Sequence, residues 1–143
     1  MSTPTKRITL ELLEQGGITR HWDSLIRAMR ASVASVTETE IADACRKLRG
    51  RELVAFALWV DTQVHGYTVM EPVTYKGEMA MNVYSIYGSD LSIDDWGEFI
   101  DQAIELLRGA GFKRLIAITT NPRVLEIVRR TGWDMYSYCE RIL

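Results

Sequence analysis

The chain has 143 residues, of which 47% are hydrophobic and 25% charged, a composition typical of one soluble globular domain covering residues 1–143. Its 17 basic and 19 acidic residues give a net charge of −2, so no positive field would hold it on nucleic acid or on a membrane surface. The two cysteines and two histidines show no metal-ligand or disulfide-framework spacing, and no apolar run reaches membrane-spanning length. We therefore expect a cytoplasmic protein with no metal, no membrane contact and no nucleic-acid partner.

The first third of the chain is predicted to hold a strand and two helices. Alternating apolar residues at positions 8–12 favour a half-buried strand. Apolar residues at helical spacing predict a helix over residues 19–33. Thr37 and Glu40 form a Thr-x-x-Glu capping box, which predicts that a second helix begins there and ends at Gly50.

The middle of the chain is predicted to be an antiparallel meander of three strands. Residues 53–60 are apolar without interruption, which is typical of a strand buried on both faces. Short polar turns separate it from two further strands at 64–75 and 78–87. Pro72 has no backbone N–H to give to a ladder, so it predicts a bulge or an edge position in the second strand.

The last part of the chain returns to helical spacing. A helix is predicted over residues 94–109, with two aspartates in its first turn, where the helix dipole favours acidic groups. A strand at 114–120 follows, and a right-handed crossover through the helix should pair it parallel to strand 78–87. A further helix over 122–132 and a closing strand over 133–143 complete the chain.

The clearest local resemblance to a known family lies in the last third of the chain. Residues 121–133 read Asn-Pro-Arg-Val-Leu-Glu-Ile-Val-Arg-Arg-Thr-Gly-Trp. This is similar to the Asn-x-x-Ala-x-x-x-Tyr-x-x-x-Gly-Phe segment of the GNAT superfamily of acetyl-CoA-dependent N-acetyltransferases, and the order of elements also resembles that family. The resemblance implies an α/β (α+β) fold with a GNAT-like mixed central sheet of six to seven strands flanked by about four helices. More narrowly, the compact length, the early Trp22 and the helix entering Gly132-Trp133 resemble small GNAT-like proteins encoded by tailed bacteriophages.

The resemblance also implies a place for acetyl-CoA, where the fourth and fifth strands splay apart. Backbone groups there hold the pantetheine arm in family members, and N–H groups of a glycine-rich loop at a helix start hold the pyrophosphate. The corresponding cofactor-binding positions in this chain are Val83, Tyr84, Ser85, Gly88, Ser89 and Asn121.

The loop after the fourth strand departs from the family pattern. Active members carry Gln/Arg-x-x-Gly-x-Gly/Ala, and residues 88–97 do not contain it. Residues 77–107 also hold seven acidic side chains and no lysine or arginine, so an anionic pyrophosphate would meet like charge. We therefore expect no cofactor, with acetyl-CoA as the cofactor if the chain is an enzyme.

Acetyl transfer to an amine needs a general base and often an acid for the leaving thiolate. Many family members use a tyrosine at the position that is Val128 here, so that role is vacant. The remaining catalytic candidates are Tyr136 and Tyr138 as acids, and Glu71, Glu78 and His65 as bases. For each of them, packing or solvation is the alternative to catalysis.

Two hypotheses about function remain. The missing glycine motif favours a non-catalytic structural, assembly or interaction module of a phage-type particle, which contacts a protein partner or a second copy of itself. The alternative is an acetyl-CoA-dependent N-acetyltransferase acting on an amine, so the sequence leaves open whether the chain is an enzyme. The first hypothesis places the protein in the cytoplasm of the host cell or in the particle itself. Ile142 and Leu143 either complete the core or pack into a partner.

Overall fold

The computed structural model describes residues 6–32, 38–117, 122–135 and 139–143. Within these residues the chain forms one seven-stranded mixed sheet and five helices. The elements in chain order are β1 (Ile8–Leu13), α1 (Gln15–Arg20), α2 (Trp22–Ser32), α3 (Glu38–Arg49), β2 (Val54–Val60), β3 (Gln63–Tyr75), β4 (Glu78–Gly88), α4 (Ile93–Gly109), β5 (Arg114–Ala117), α5 (Pro122–Arg130), β6 (Asp134–Met135) and β7 (Cys139–Ile142).

The sheet has the strand order β1-β2-β3-β4-β5-β7-β6. β1 to β4 are antiparallel neighbours, so the predicted meander is confirmed. β4 then pairs parallel to β5, from Ala80 opposite Arg114 to Val83 opposite Ala117. The chain reaches β5 through α4, which confirms the predicted crossover. Pro72 lies beyond the last pair between β2 and β3, so β3 is an edge strand at that point, as expected.

The helix predicted over residues 19–33 is wrong in its extent, because residues 15–32 form two helices that meet at His21. The Nδ1 atom of His21 lies 2.8 Å from the hydroxyl oxygen of Tyr67, and the imidazole stands edge-on to the Trp59 ring. These contacts come from β2 and β3, so nothing in the local sequence marks the break. The described residues therefore hold five helices where the resemblance implied about four. Residues 33–37, which include Thr37 of the predicted capping box, lie outside the described residues.

The single closing strand predicted over residues 133–143 is also wrong. The chain forms two short strands there, β6 and β7, on either side of residues 136–138, which lie outside the described part. β7 pairs antiparallel to β5, and β6 pairs with the outer edge of β7. Leu143 packs against the core, whereas Ile142 is 61% exposed. Only one of the two terminal apolar residues therefore completes the core.

Two hydrophobic cores lie on opposite faces of the sheet. α1, α2 and α3 cover one face, and α4 and α5 cover the other. β2 contributes to both, since Ala55 and Ala57 belong to the first core and Phe56 and Leu58 to the second. This explains why the segment 53–60 is apolar without interruption, and it confirms that the strand is buried on both faces.

The free edge of β1 is closed by a side chain of α4. Gln102 accepts a hydrogen bond from the backbone N–H of Leu10 at 2.8 Å through Oε1, and donates one to the carbonyl oxygen of Ile8 at 2.9 Å through Nε2. A neighbouring strand would make the same two hydrogen bonds with these groups. Gln102 therefore anchors α4 to the sheet and blocks part of an edge that could otherwise pair with another chain.

Candidate functional site

A β-bulge interrupts β4 where the resemblance places the cofactor. Val69 of β3 pairs with Ser85 and the next residue, Met70, pairs with Val83, so Tyr84 is the extra residue of the bulge. The parallel pairing between β4 and β5 is described as far as Val83 opposite Ala117, and residues 118–121 lie outside the described residues. Because bulges occur often beside active sites, the predicted positions Val83, Tyr84 and Ser85 stand at a structurally distinctive point of β4.

A small cavity lies on the face covered by α4 and α5. Its volume is about 40 Å³, and Val83, Trp96 and Val128 are among its apolar lining residues. The indole N–H groups of Trp96 and Trp133, which also line it, are buried without a hydrogen-bond partner among the described residues. A cavity of this size holds about one or two waters, far less than a pantetheine arm would occupy.

In the predicted phosphate loop, Gly88 and Ser89 contact other parts of the chain. A Cβ atom on Gly88 would lie 2.5 Å from both the Leu91 Cδ1 and the Trp96 Cζ2 atoms, so the glycine makes room for these two side chains. The backbone N–H of Ser89 donates to the carbonyl oxygen of His65 at 2.8 Å. Neither residue therefore leaves an open cradle of N–H groups for phosphate.

The start of α4 is capped by the chain's own groups. The Asp95 N–H donates to Ser92 Oγ at 3.1 Å, and the Ser92 N–H donates to Asp95 Oδ2 at 3.0 Å, which together form a capping box. Asp95 is only 7% exposed, and its carboxylate pairs with the Lys6 ammonium at 3.6 Å. A negatively charged group of the protein thus lies where a pyrophosphate would bind in the family. The start of α4 does not fit that anion. The Ser92-x-x-Asp95 spacing is the signal in the sequence that could have predicted this cap.

The two predicted carboxylate bases both have cationic partners. Glu71 lies 3.8 Å from the Lys47 ammonium, and Glu78 lies 3.3 Å from the Arg114 guanidinium. Glu78 stands six residues before Tyr84, about 20 Å along the strand, and is not brought to the bulge. Glu71 of β3 is paired with Asn82 of β4, so Glu71 does lie near the bulge. Tyr136, Tyr138 and Asn121, the other predicted site residues, lie outside the described residues.

The opposite face of the bulge brings two predicted residues, Tyr84 and Glu71, close to Asn82, which was not predicted. Burial raises the pKa of the Tyr84 phenol, the nearby Lys47 charge lowers it, and Asp43, Glu40 and Glu71 raise it. The phenol therefore stays protonated at neutral pH, where it can donate a proton or a hydrogen bond and its oxygen can also accept one. The Oδ1 atom of Asn82 is buried with no hydrogen-bond partner in the described part of the chain. A polar ligand at the bulge could be contacted by Tyr84, Asn82 and Glu71 together.

The remaining base candidate, His65, belongs to another part of the molecule. Its Nδ1 atom lies 3.0 Å from the carbonyl oxygen of Ser89, at the start of β3. The described residues hold no group of three or more His, Cys, Asp or Glu side chains that could bind a metal. They also include no helix that is long and apolar enough to cross a bilayer.

Comparison with known proteins gives a clear result for structure only. No protein-family model matches the sequence, and a search of curated proteins found no significant match. Among solved structures, a GNAT family acetyltransferase from Brucella melitensis in complex with acetyl-CoA is similar, with 17% identity and a TM-score of 0.66, covering 96% of this chain and 88% of that one. An aminoglycoside acetyltransferase in complex with coenzyme A has 12% identity and a TM-score of 0.66, with 95% of each chain covered. A probable acetyltransferase from Staphylococcus epidermidis has 11% identity and a TM-score of 0.69, covering 95% of this chain and 99% of that one.

These proteins share the mixed sheet and the helices along nearly the whole chain, at sequence identities that carry the fold and nothing finer. The topology described above agrees with them, including the parallel pair of β4 and β5 joined through α4. The chain therefore has the fold of the GNAT acetyltransferases, as its sequence resemblance implied.

Proposed function

We propose that this chain is a GNAT-fold protein that acts through non-covalent contacts and does not transfer acetyl groups from acetyl-CoA. The observation that carries the proposal is the capping box at the start of α4. The N–H groups of Ser92 and Asp95 both have partners within the chain, and the Asp95 carboxylate is buried at this helix start, where the resemblance places the pyrophosphate. A bound pyrophosphate would have to displace that carboxylate or lie beside it, and both cost electrostatic free energy.

The packing beside Gly88 and the residue at position 128 support the same proposal. Trp96 and Leu91 fill the space beside Gly88. The family's tyrosine position is Val128, which is buried in the core beneath α5. The described residues therefore supply neither the open loop nor that acid.

Isothermal titration with acetyl-CoA tests the proposal on the full chain and on two variants. We expect the wild-type protein to bind acetyl-CoA more weakly than about 10 μM, a binding free energy of about −7 kcal/mol. Asp95→Ala removes the competing carboxylate and frees the Ser92 N–H, so it should bind acetyl-CoA more tightly than the wild type. Asp94→Ala is the matched control, because it removes the same charge from an exposed position that makes no cap.

Three outcomes are informative. Wild-type binding at about 10 μM or tighter would overturn the proposal. Equal affinities for Asp94→Ala and Asp95→Ala would show that charge alone, and not the capping box, weakens the site. A gain confined to Asp95→Ala supports the proposal.

The second candidate function is N-acetyl transfer to an amine, with acetyl-CoA as donor. It is favoured by the bulge at Tyr84, because this irregularity lies in the strand where the resemblance places the cofactor. On this hypothesis Tyr84 and Asn82 would contact the reacting groups. The titration above separates the two functions, since an enzyme must bind its donor.

The proposed contact partner is a protein or a second copy of the chain. Ile142, which is 61% exposed at the end of β7, is an apolar side chain that such a contact could bury. Ile142→Ser should lower association measured by analytical ultracentrifugation and leave the melting temperature unchanged. An unchanged association state would remove this support. Membership of a phage particle stays a prediction.

A further inference from the structure

A cleft lies on the face of the sheet covered by α2, away from the bulge at Tyr84. It has a volume of about 440 Å³ and is bounded by α2, the start of β3 and the end of β4. Small-molecule sites commonly measure about 300–1,000 Å³. The close approach of β3 and β4 shapes its floor, because a Cβ atom on Gly66 would overlap the carbonyl oxygen of Tyr87.

The strand wall of the cleft offers hydrogen-bond acceptors. The Nδ1 atom of His65 lies 3.0 Å from the carbonyl oxygen of Ser89. A carbonyl oxygen can only accept, so Nδ1 carries the hydrogen, and Nε2 of the neutral ring is left as an acceptor. The exposed Asp90 carboxylate lines the same wall. The second hydrogen bond between these segments, from the Ser89 N–H to the His65 carbonyl oxygen, fixes the loop that carries Asp90.

The helix wall offers a cation. Arg27 of α2 is exposed and lines the cleft together with Ser24. Both residues lie close to the Tyr67 hydroxyl: burial raises the pKa of Tyr67, while the Ser24 hydrogen bond and the Arg27 charge lower it. Because Tyr67 also contacts His21 at 2.8 Å, this wall is held in place by a network of side chains.

Arg27 and Asp90 line one cleft but do not form an ion pair with each other among the contacts of the described residues. A purely anionic ligand would be repelled by Asp90, and a purely cationic ligand by Arg27. A ligand that carries both charges satisfies both walls. Tyr87, which is 37% exposed and also lines the cleft, adds an aromatic surface for an apolar side chain.

We propose that this cleft binds a zwitterionic α-amino acid with an aromatic or apolar side chain. Arg27 receives the carboxylate through its planar guanidinium, which matches two carboxylate oxygens. Asp90 and His65 Nε2 accept hydrogen bonds from the ammonium group, and Tyr87 packs against the side chain. The site requires no acetyl-CoA and is independent of the function proposed above.

The test uses the full-length ¹⁵N-labelled chain and three probes. L-phenylalanine carries both charges, N-acetyl-L-phenylalanine lacks the ammonium group, and L-phenylalaninamide lacks the carboxylate. L-phenylalanine should give saturable amide shift changes at residues 63–67 and 87–90. Each of the other two probes should bind at least about tenfold more weakly, a loss of about 1.4 kcal/mol.

Two variants localise the binding, and a third serves as the control. Arg27→Gln and Asp90→Asn should each weaken L-phenylalanine binding by about tenfold or more. Asparagine is chosen for residue 90 because it tolerates the positive φ of 58° found there. Arg30→Gln lies on the same helix outside the cleft and should leave the affinity unchanged. Circular dichroism checks that every variant is folded.

The proposal is overturned if L-phenylalanine causes no saturable shift changes up to about 10 mM, or if the N-acetyl or amide probe binds as well as the free amino acid. It is also overturned if Arg27→Gln and Asp90→Asn, once shown to be folded, bind like the wild type. Selective loss with both variants and with both altered probes supports it. None of these results depends on acetyl-CoA, so they remain distinct from the outcome of the titration described above.

Discussion

Replacing Gln102 by leucine removes the two hydrogen bonds that close the edge of β1 and keeps a side chain of similar size. Oε1 and Nε2 of Gln102 satisfy the Leu10 N–H at 2.8 Å and the Ile8 carbonyl at 2.9 Å, in partly buried surroundings. A hydrogen bond of this kind contributes about 0.5–1.5 kcal/mol, and a partner left unsatisfied costs more, so we expect Gln102→Leu to lose about 1–3 kcal/mol of unfolding free energy. For a chain of this length, that corresponds to a fall in melting temperature of roughly 3–10 °C.

Urea denaturation followed by circular dichroism measures this loss. Glu98→Ala is the matched control, because Glu98 Oε1 accepts a longer hydrogen bond of 3.3 Å from the same Gln102 Nε2 atom, in an exposed position, and its loss leaves both hydrogen bonds to β1 in place. It should change the unfolding free energy by less than about 0.5 kcal/mol. Gln102→Glu should fall between wild type and leucine, since a carboxylate can accept from Leu10 but cannot donate to Ile8. A leucine variant as stable as the wild type would refute the assignment of Gln102 as an edge-closing residue.

Two further predictions concern residues of β4. Gly88→Ala should destabilise the fold by about 1–3 kcal/mol in thermal or urea unfolding, because its Cβ would overlap Leu91 and Trp96; no change in stability would mean that these side chains are loosely packed. Tyr84→Phe should flatten the dependence of stability on pH above about 10. The pKa of Tyr84 is raised in the folded state, so the phenol ionises more readily on unfolding and stability falls as the pH rises through the unfolded and then the folded value. Urea midpoints measured between about pH 8 and 11 that run parallel for the two proteins would contradict the shift.

The meander and the crossover could be predicted because their signals are local. Residues 53–60 contribute alternately to two cores, and this appears directly as an unbroken apolar run. Short turns and a helix of regular spacing then fix the order of the next three strands. Nothing about these elements depends on a contact that the sequence conceals.

The break between α1 and α2 could not be predicted, since it depends on the contact of His21 with Tyr67, a residue far along the chain. The bulge at Tyr84 could not be predicted either, because one extra residue in a strand does not change the composition of the strand. For Gly88, the sequence does not show what occupies the space that a side chain would take. A glycine before a helix suggests a close approach of phosphate, but here the space is taken by Leu91 and Trp96.

The site residues themselves stay a prediction. The resemblance placed Val83, Tyr84 and Ser85 between the fourth and fifth strands, and the structure has a bulge in β4 at Tyr84. The side-chain roles depend on tertiary contacts that no spacing shows, such as the pairing of Glu71 with Lys47. The reciprocal cap of Ser92 and Asp95 is the exception, because its three-residue spacing is a recognised signal.

The bulge also determines where β4 can change in length. Before Tyr84, the odd-numbered Met81 and Val83 face α4 and α5, whereas after it the even-numbered Ile86 faces them. The strand thus carries two alternation phases joined at one residue. Deleting Tyr84 would join them into a single regular phase, with each side chain still on its own face. Deleting Ser85 would have the same effect, whereas deleting Asn82 or Val83 would move the Tyr84 side chain to the face covered by α4 and α5. In this part of β4, the loss of one residue therefore keeps every remaining side chain on its own face only at the bulge.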